Sequence, residues 1–256
     1  MLLKREECKQ AILKWEKTKT DFEKIRALID ATKVFRFDES DQSWIREHNK
    51  NHSFHVYAGV HNDHFVLIIV PLTKKGKEKA LEKYLTKTLT ALKKDITLVE
   101  TEVVTTVTKT KLSADLAVTK FWKEVNLPVH NEPTITEKAS AYDIEKWKNE
   151  SLNWFFYEYS TSRGRNIFRT FTVPLSDLDR DDNKKGDVIA FFGLKLSPIY
   201  QKQIPILIFV SQSEKDSGTG EILRAKLGFS AAPTNSQDWS QPCPPLCKDK
   251  SGFTLF

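Results

Sequence analysis

An α+β fold, mainly antiparallel sheet with helices packed on one face, is what the sequence predicts, and three observations carry that prediction. Apolar side chains at Cys8, Ala11, Ile12, Trp15, Phe22, Ile25, Leu28 and Ile29 recur at the spacing that gathers them on one side of a helix. Residues 54–60 and 65–70 flank Asn62-Asp63, the residue types that close a two-residue hairpin. The longest apolar runs, Phe65 to Leu72 and Ile204 to Val210, contain or adjoin a proline. They fall far short of the roughly 20 residues that cross a bilayer, so they read as buried strands.

Taken in order, residues 3–32 form helix with a break near Lys19, where Thr20 and Glu23 offer a capping box. Lys33 to Phe37 is a short extended piece and Asp38 to Asn51 a polar loop. The hairpin follows. Lys74 to Lys94 reads as an amphipathic helix with Leu81, Tyr84, Leu85, Thr88, Leu89 and Leu92 inward. Ile96 to Lys111, rich in Thr and Val, reads as a strand, and Ser113 caps a helix running to Val125. The second half opens with a helix from Ser140 to about Asn153. Strands are expected near Trp154–Ser160, Asn166–Val173, Asp187–Leu196 and Ile204–Ser211, then a helix from Glu221 to Leu227. Residues 126–140 hold two prolines and no periodicity. The expected organisation is therefore a basic N-terminal half (1–126), a linker (127–139), a C-terminal half (140–228) and an aromatic, proline-bearing tail (229–256).

The two halves also resemble each other. Val34-Phe35-Arg36 precedes Ala58-Gly59-Val60 and the apolar run 66–70; Ile167-Phe168-Arg169 precedes Phe192-Gly193-Leu194 and the apolar run 206–210. From Phe to Gly the interval is 24 residues in one half and 25 in the other. A diverged duplication of a helix-plus-hairpin unit is the expectation, with a ligand seat where the two units meet.

Composition narrows the function classes. The 256 residues are 39% hydrophobic, with 28 aromatics and only 9 Gly and 3 Cys, which excludes collagen-like, low-complexity and disulfide-framework proteins. Acids follow the short apolar start at Glu6-Glu7, unlike a secretory leader. With an odd cysteine count, a reducing cytoplasm is the expected compartment, without membrane association. The net charge is +6, and all of the excess lies in residues 1–128, with 24 Lys and Arg against 18 Asp and Glu; the remainder carries 16 of each.

Five of the six histidines, His48, His52, His55, His61 and His64, fall within 17 residues. A period of two puts His55, His61 and His64 on one face of the hairpin. Imidazoles at a hairpin tip beside Asp63 are candidate zinc ligands, with His61 and Asp63 as candidate catalytic groups of a metal-dependent hydrolase. Lys79, Lys83 and Lys87 at i, i+4, i+8 would form a basic stripe on the Lys74–Lys94 helix, a candidate polyanion surface and a nucleic-acid-binding alternative. Asp177 to Asp187 alternates carboxylates but has Asp182 and Val188 where an EF-hand needs Gly and Glu. The loop 211–220 before a helix lacks the Gly-Lys-Ser/Thr of a phosphate loop. Trp239 in the tail is a candidate partner anchor, and Cys243 and Cys247 alone make no zinc site. No nucleophile-elbow, zincin or dinucleotide motif is present. The leading expectation is a binding or protein-interaction protein with a protein partner and no cofactor.

Overall fold

The computed structural model describes residues 1–93, 95–96, 98, 105–112, 118–126, 137–178, 186–197, 200–211, 236–237, 241–245 and 255. The chain enters by β1 (Leu2–Lys4) and α1 (Arg5–Thr18). A turn at Lys19-Thr20 separates α1 from α2 (Phe22–Leu28), whose N-cap is Asp21, accepting from the Lys24 amide. β2 (Lys33–Phe37) leads into α3 (Glu39–His48) where a polar loop was expected. The reason is local: Asp38 and Asp41 form a reciprocal capping box, which satisfies two of the helix's orphan amide donors.

β3 (Ser53–His61) and β4 (His64–Val70) make the expected hairpin, with His61 opposite His64 and His55 opposite Val70. Asn62 and Asp63 both have positive φ, at 47° and 57°, as a type I′ turn requires. Beyond it the Lys74–Lys94 helix does not form. The segment makes a turn at Gly76, then β5 (Lys83–Thr88) and β6 (Thr90–Ala91). Tyr84 and Leu85 fall on opposite faces of β5 and are both buried, in two different cores, so period two wins over the helical spacing of the lysines. β7 (Thr105–Leu112) and β8 (Val118–Asn126) pair antiparallel, and β8 replaces the helix expected from Ser113 to Val125.

α4 (Glu137–Ser162) is a single helix of 26 residues, absorbing the strand expected at Trp154–Ser160. The aromatics there are spaced for a helix that buries Trp154 and Phe155 and exposes Phe156 and Tyr157. β9 (Thr170–Pro174), a 3-10 turn at Leu175–Leu178, β10 (Val188–Ser197) and β11 (Lys202–Ser211) follow, then β12 (Ser236–Gln237) and β13 (Gln241–Cys243). The expected helix at Glu221–Leu227, most of the linker and the acidic run from Asp179 to Lys185 lie outside the described residues.

Besides the β7–β8 pair, the described residues form two antiparallel sheets, ordered β1-β5-β4-β3-β9-β13 and β12-β11-β10-β2-β6. Each takes a strand from the other part of the chain. β9 pairs with β3, setting Val56 against Phe171, and β2 pairs with β10, setting Ala190 against Phe35. Facing sides of the sheets share one core that holds Phe35, Phe54, Val56, Phe65, Phe171, Phe192 and Phe209, all under 4% exposed.

A helix packs on the outer side of each sheet, in matching fashion. α1 passes Gly59 with Ala11 Cβ 3.1 Å from where a Cβ on that glycine would stand; α4 passes Gly193 with Asp143 Cβ 3.4 Å from the equivalent point. One residue later on each helix stand Ile12 and Ile144, and four residues later Trp15 and Trp147, both buried in the shared core. Trp15 packs edge-on to Phe65 with ring centroids 5.1 Å apart, and Trp147 stacks on Phe192 at 4.7 Å. Val56 and Ala190 each stand three residues before their glycine, so the sheet position of Phe35 is matched by Phe171 and not by Phe168.

The end of α4 seats on the α1–α2 turn through Gly164. Its φ of +75° is one that L side chains rarely adopt, and a Cβ there would lie 2.0 Å from the Lys19 carbonyl oxygen. Gly164→Ala is expected to lower stability by at least about 2 kcal/mol, strain and clash combined. Gly76→Ala, with the same φ but no atom nearer than 4.0 Å, should cost only about 1 kcal/mol. Urea denaturation of the two variants checks the difference.

Candidate functional site

The histidines expected to act together are dispersed. His48, at the end of α3, stacks on Trp44 with ring centroids 4.4 Å apart, and its Nδ1 lies 2.8 Å from the Trp44 carbonyl. His52 is exposed. His55 lies six residues along β3 from His61, about 20 Å at the rise of a strand. Only His61 and His64 are brought together, as the closing pair of the hairpin. Asp63 beside them is bonded to Lys14 at 2.7 Å, and that ammonium holds its carboxyl below the usual carboxylate range. Among the described residues no group of three or more His, Cys, Asp and Glu is placed to hold a metal ion.

His55 belongs to a different arrangement. Its Nδ1 is 2.7 Å from Glu78 Oε1, and Tyr57 donates its hydroxyl proton to the same oxygen at 2.5 Å. The Glu78 side chain is 1% exposed. Burial, and then the Glu78 charge, push the Tyr57 phenol far above its ordinary value, so Tyr57 keeps its proton and donates it to Glu78. Buried acceptors and donors satisfied in this way fix structure: the three side chains lock the Pro71–Glu82 segment, which carries Glu78, onto β3. Sequence reasoning missed the network because Glu78 lies in the segment read as helix.

The lysines of the expected stripe also part company. Lys79 donates to the His48 carbonyl at 3.3 Å, Lys87 pairs with Asp41 at 2.5 Å, and Lys83 stands exposed at the start of β5. Trp239 and Cys247 lie outside the described residues. Cys8 is a buried free thiol, raised to about 12 by burial first and by Glu7 second. Cys243 is disulfide-bonded, a state that persists in oxidising surroundings.

A cleft opens at the hairpin tip. Its volume is about 550 Å³, and its walls come from both parts of the chain: the stretch Arg26–Lys33 and the tip residues Asp63, His64 and Phe65 on one side, Lys148, Asn149, Ser151 and Leu152 of α4 on the other. Leu28, Leu152 and Phe65 supply apolar wall. Arg26, Lys33 and Lys148 stand against Asp30 and Asp63, but Asp30 is held by Lys33 at 3.4 Å and Asp63 by Lys14. Arg26, which pairs with Glu23 at 3.8 Å, and Lys148 are exposed cations at the mouth.

Where α1 meets the entry to β9 lies an ionic junction centred on the buried Lys19. Glu16 pairs with Lys19 at 3.0 Å and with Arg169 at 3.2 Å, and Lys19 also reaches the Ile167 carbonyl at 3.4 Å. Lys19 is 2% exposed. Burial lowers its ammonium from 10.5 to about 8, against the opposing pull of Glu16.

No protein-family model matches the chain, and no curated protein or solved structure matches it either.

The Lys19 shift has a defined sign. Between about pH 8 and 10.5 the unfolded chain holds a proton that the folded chain has released, so stability rises with pH across that window. Relative to Lys19→Met, the wild-type protein is expected to gain about 3 kcal/mol over it. Urea denaturation at half-unit pH steps measures this, and a constant difference between the two proteins would contradict it.

Proposed function

We propose that this chain is a binding or protein-interaction protein built from two diverged copies of one helix-plus-hairpin unit, with its ligand seat in the cleft at the first hairpin's tip. The observation that carries the reading is that this cleft is walled by both units, Arg26–Phe65 on one side and Lys148–Leu152 on the other. Supporting the duplication are the exchanged strands, the paired glycines beneath α1 and α4, and the shared Ile-x-Lys-Trp at Ile12–Trp15 and Ile144–Trp147. A seat between repeated units is where divergence alters specificity without disturbing either core.

The wall chemistry fits an acidic and apolar peptide segment of a protein partner. Leu28, Leu152 and Phe65 meet apolar side chains, and Arg26 and Lys148 meet carboxylates at the rim. The hydrolase alternative retains only His61, His64 and Asp63, the last already paired with Lys14. The nucleic-acid alternative loses the helix that would align Lys79, Lys83 and Lys87. A cytoplasmic home rests on the cysteine count, and the Cys243 disulfide counts against it. Among the described residues no helix is long and apolar enough to cross a membrane.

The test is an amide chemical-shift titration with a decapeptide of alternating Glu and Leu and with its Lys/Leu counterpart. The Glu/Leu peptide is expected to shift residues 26–33, 64–65 and 148–152, with affinity at least tenfold weaker in Arg26→Glu/Lys148→Glu. Shifts elsewhere, or equal responses to both peptides, would overturn the assignment.

A further inference from the structure

A second seat lies farther along α4 and shares no lining residue with the first. Two adjoining cavities of about 300 and 180 Å³ lie between the last turns of α4 and the start of β11, and Trp154, Glu158, Lys202 and Gln203 line both. Glu158 is 5% exposed, and its Oε2 is closed to solvent and has no hydrogen-bond partner. The Oε1 of Gln203 is likewise buried and unpartnered. Two acceptors, one of them a carboxylate, therefore face the same cavities with nothing donating to them.

Such groups are costly to leave unmet, and native structures keep them chiefly where a ligand or water completes them. A cation that carries two or more N–H donors would complete both oxygens at once. The walls specify it further. Trp154 and Tyr157 flank the larger cavity and Tyr200 the smaller, and Trp154 is fixed in place because its Nε1 donates to the Gln203 carbonyl at 3.0 Å. Aromatic faces beside a carboxylate attract organic cations. A planar guanidinium fits best, because its fork of five donors reaches a carboxylate and an amide oxygen at once while its plane stacks on an aromatic ring. Volume also argues for one side chain, since about 300 Å³ is the lower limit of pockets that hold drug-sized molecules.

We infer that the Glu158–Gln203 cavity is a recognition site for a guanidinium group, the side chain of an arginine presented by a partner peptide, with Tyr157 and Tyr200 as its exposed aromatic rim. Among the described residues, Lys202 is the one cation in the wall. It is exposed and makes no ion pair with Glu158, so it sits at the mouth and the arginine enters past it.

The experiment titrates the full chain with the peptide acetyl-Ala-Ala-Arg-Ala-Ala-amide, its citrulline and lysine counterparts, and free arginine. It follows the Trp154 indole and the amides of residues 153–158 and 202–204. The arginine peptide is expected to bind at least tenfold tighter than the citrulline peptide, which keeps the shape without the charge, and Glu158→Gln should remove that preference. Free arginine binding as tightly as the peptide would keep the guanidinium seat but overturn its assignment to a partner segment. Equal binding of arginine and citrulline peptides, or no response at these residues, would overturn the site. A second measurement needs no ligand: Glu158→Gln is expected to raise the urea midpoint of the free protein by relieving an unpaired buried charge. A lowered midpoint would mean that Glu158 has an internal partner, and the inference would fall.

Discussion

The whole architecture depends on an exchange of strands. β2, from the N-terminal part of the chain, joins the second sheet by pairing with β10, while β9, from the C-terminal part, joins the first by pairing with β3. Without β2, Phe35 and Phe37 leave the inter-sheet core; without β9, Phe171 and Val173 do. The β3–β4 and β10–β11 hairpins each turn an apolar face into one shared core, which strands from both ends of the sequence complete. Burial at roughly 25 cal/mol per Å² of apolar surface makes this the dominant favourable term, and it is shared between the two ends of the sequence.

Both candidate seats arise from that exchange. α4 has to cross from the outer side of its own sheet at Gly193 to the α1–α2 turn at Gly164, and it is long because that path is long. Along the way Lys148–Leu152 pass the first unit's hairpin tip and open the larger cleft. Trp154 and Glu158 then pass the start of β11 and leave the smaller cavities. Elsewhere Glu78 is satisfied by His55 and Tyr57, and Lys19 is held buried at a cost to its charged form. What sets the unmet oxygens of Glu158 and Gln203 apart is that both residues line the same two cavities.

Elements whose signal is local were legible in the sequence. The β3–β4 hairpin follows from alternation and Asn62-Asp63, and the apolar face Phe54, Val56, Ala58, Val60, Phe65, Leu67 and Ile69 lies in the core, where period two requires it. The lysines at 79, 83 and 87 misled because a separation of four satisfies both helix and strand, and pairing with β4 and β1 decided the matter. Trp154–Ser160 misled in the other direction: aromatics favour strands, but continuation of α4 buries Trp154 and Phe155 while leaving Phe156 at the surface. The turn bearing His61, Asp63 and His64 could be located from sequence, although its ligand chemistry could not. Glu158 and Gln203 carry no motif, since their meeting is made by tertiary packing between residues 45 positions apart.

Native-state hydrogen exchange tests the interlocked core most directly. If the two sheets share one core through strands drawn from both ends of the chain, the slowest amides of β2, β3, β9 and β10 open together, with one free energy and one dependence on urea. Separate openings, with β2 and β3 exchanging at one free energy and β9 and β10 at another, would contradict it and return the molecule to two independent halves.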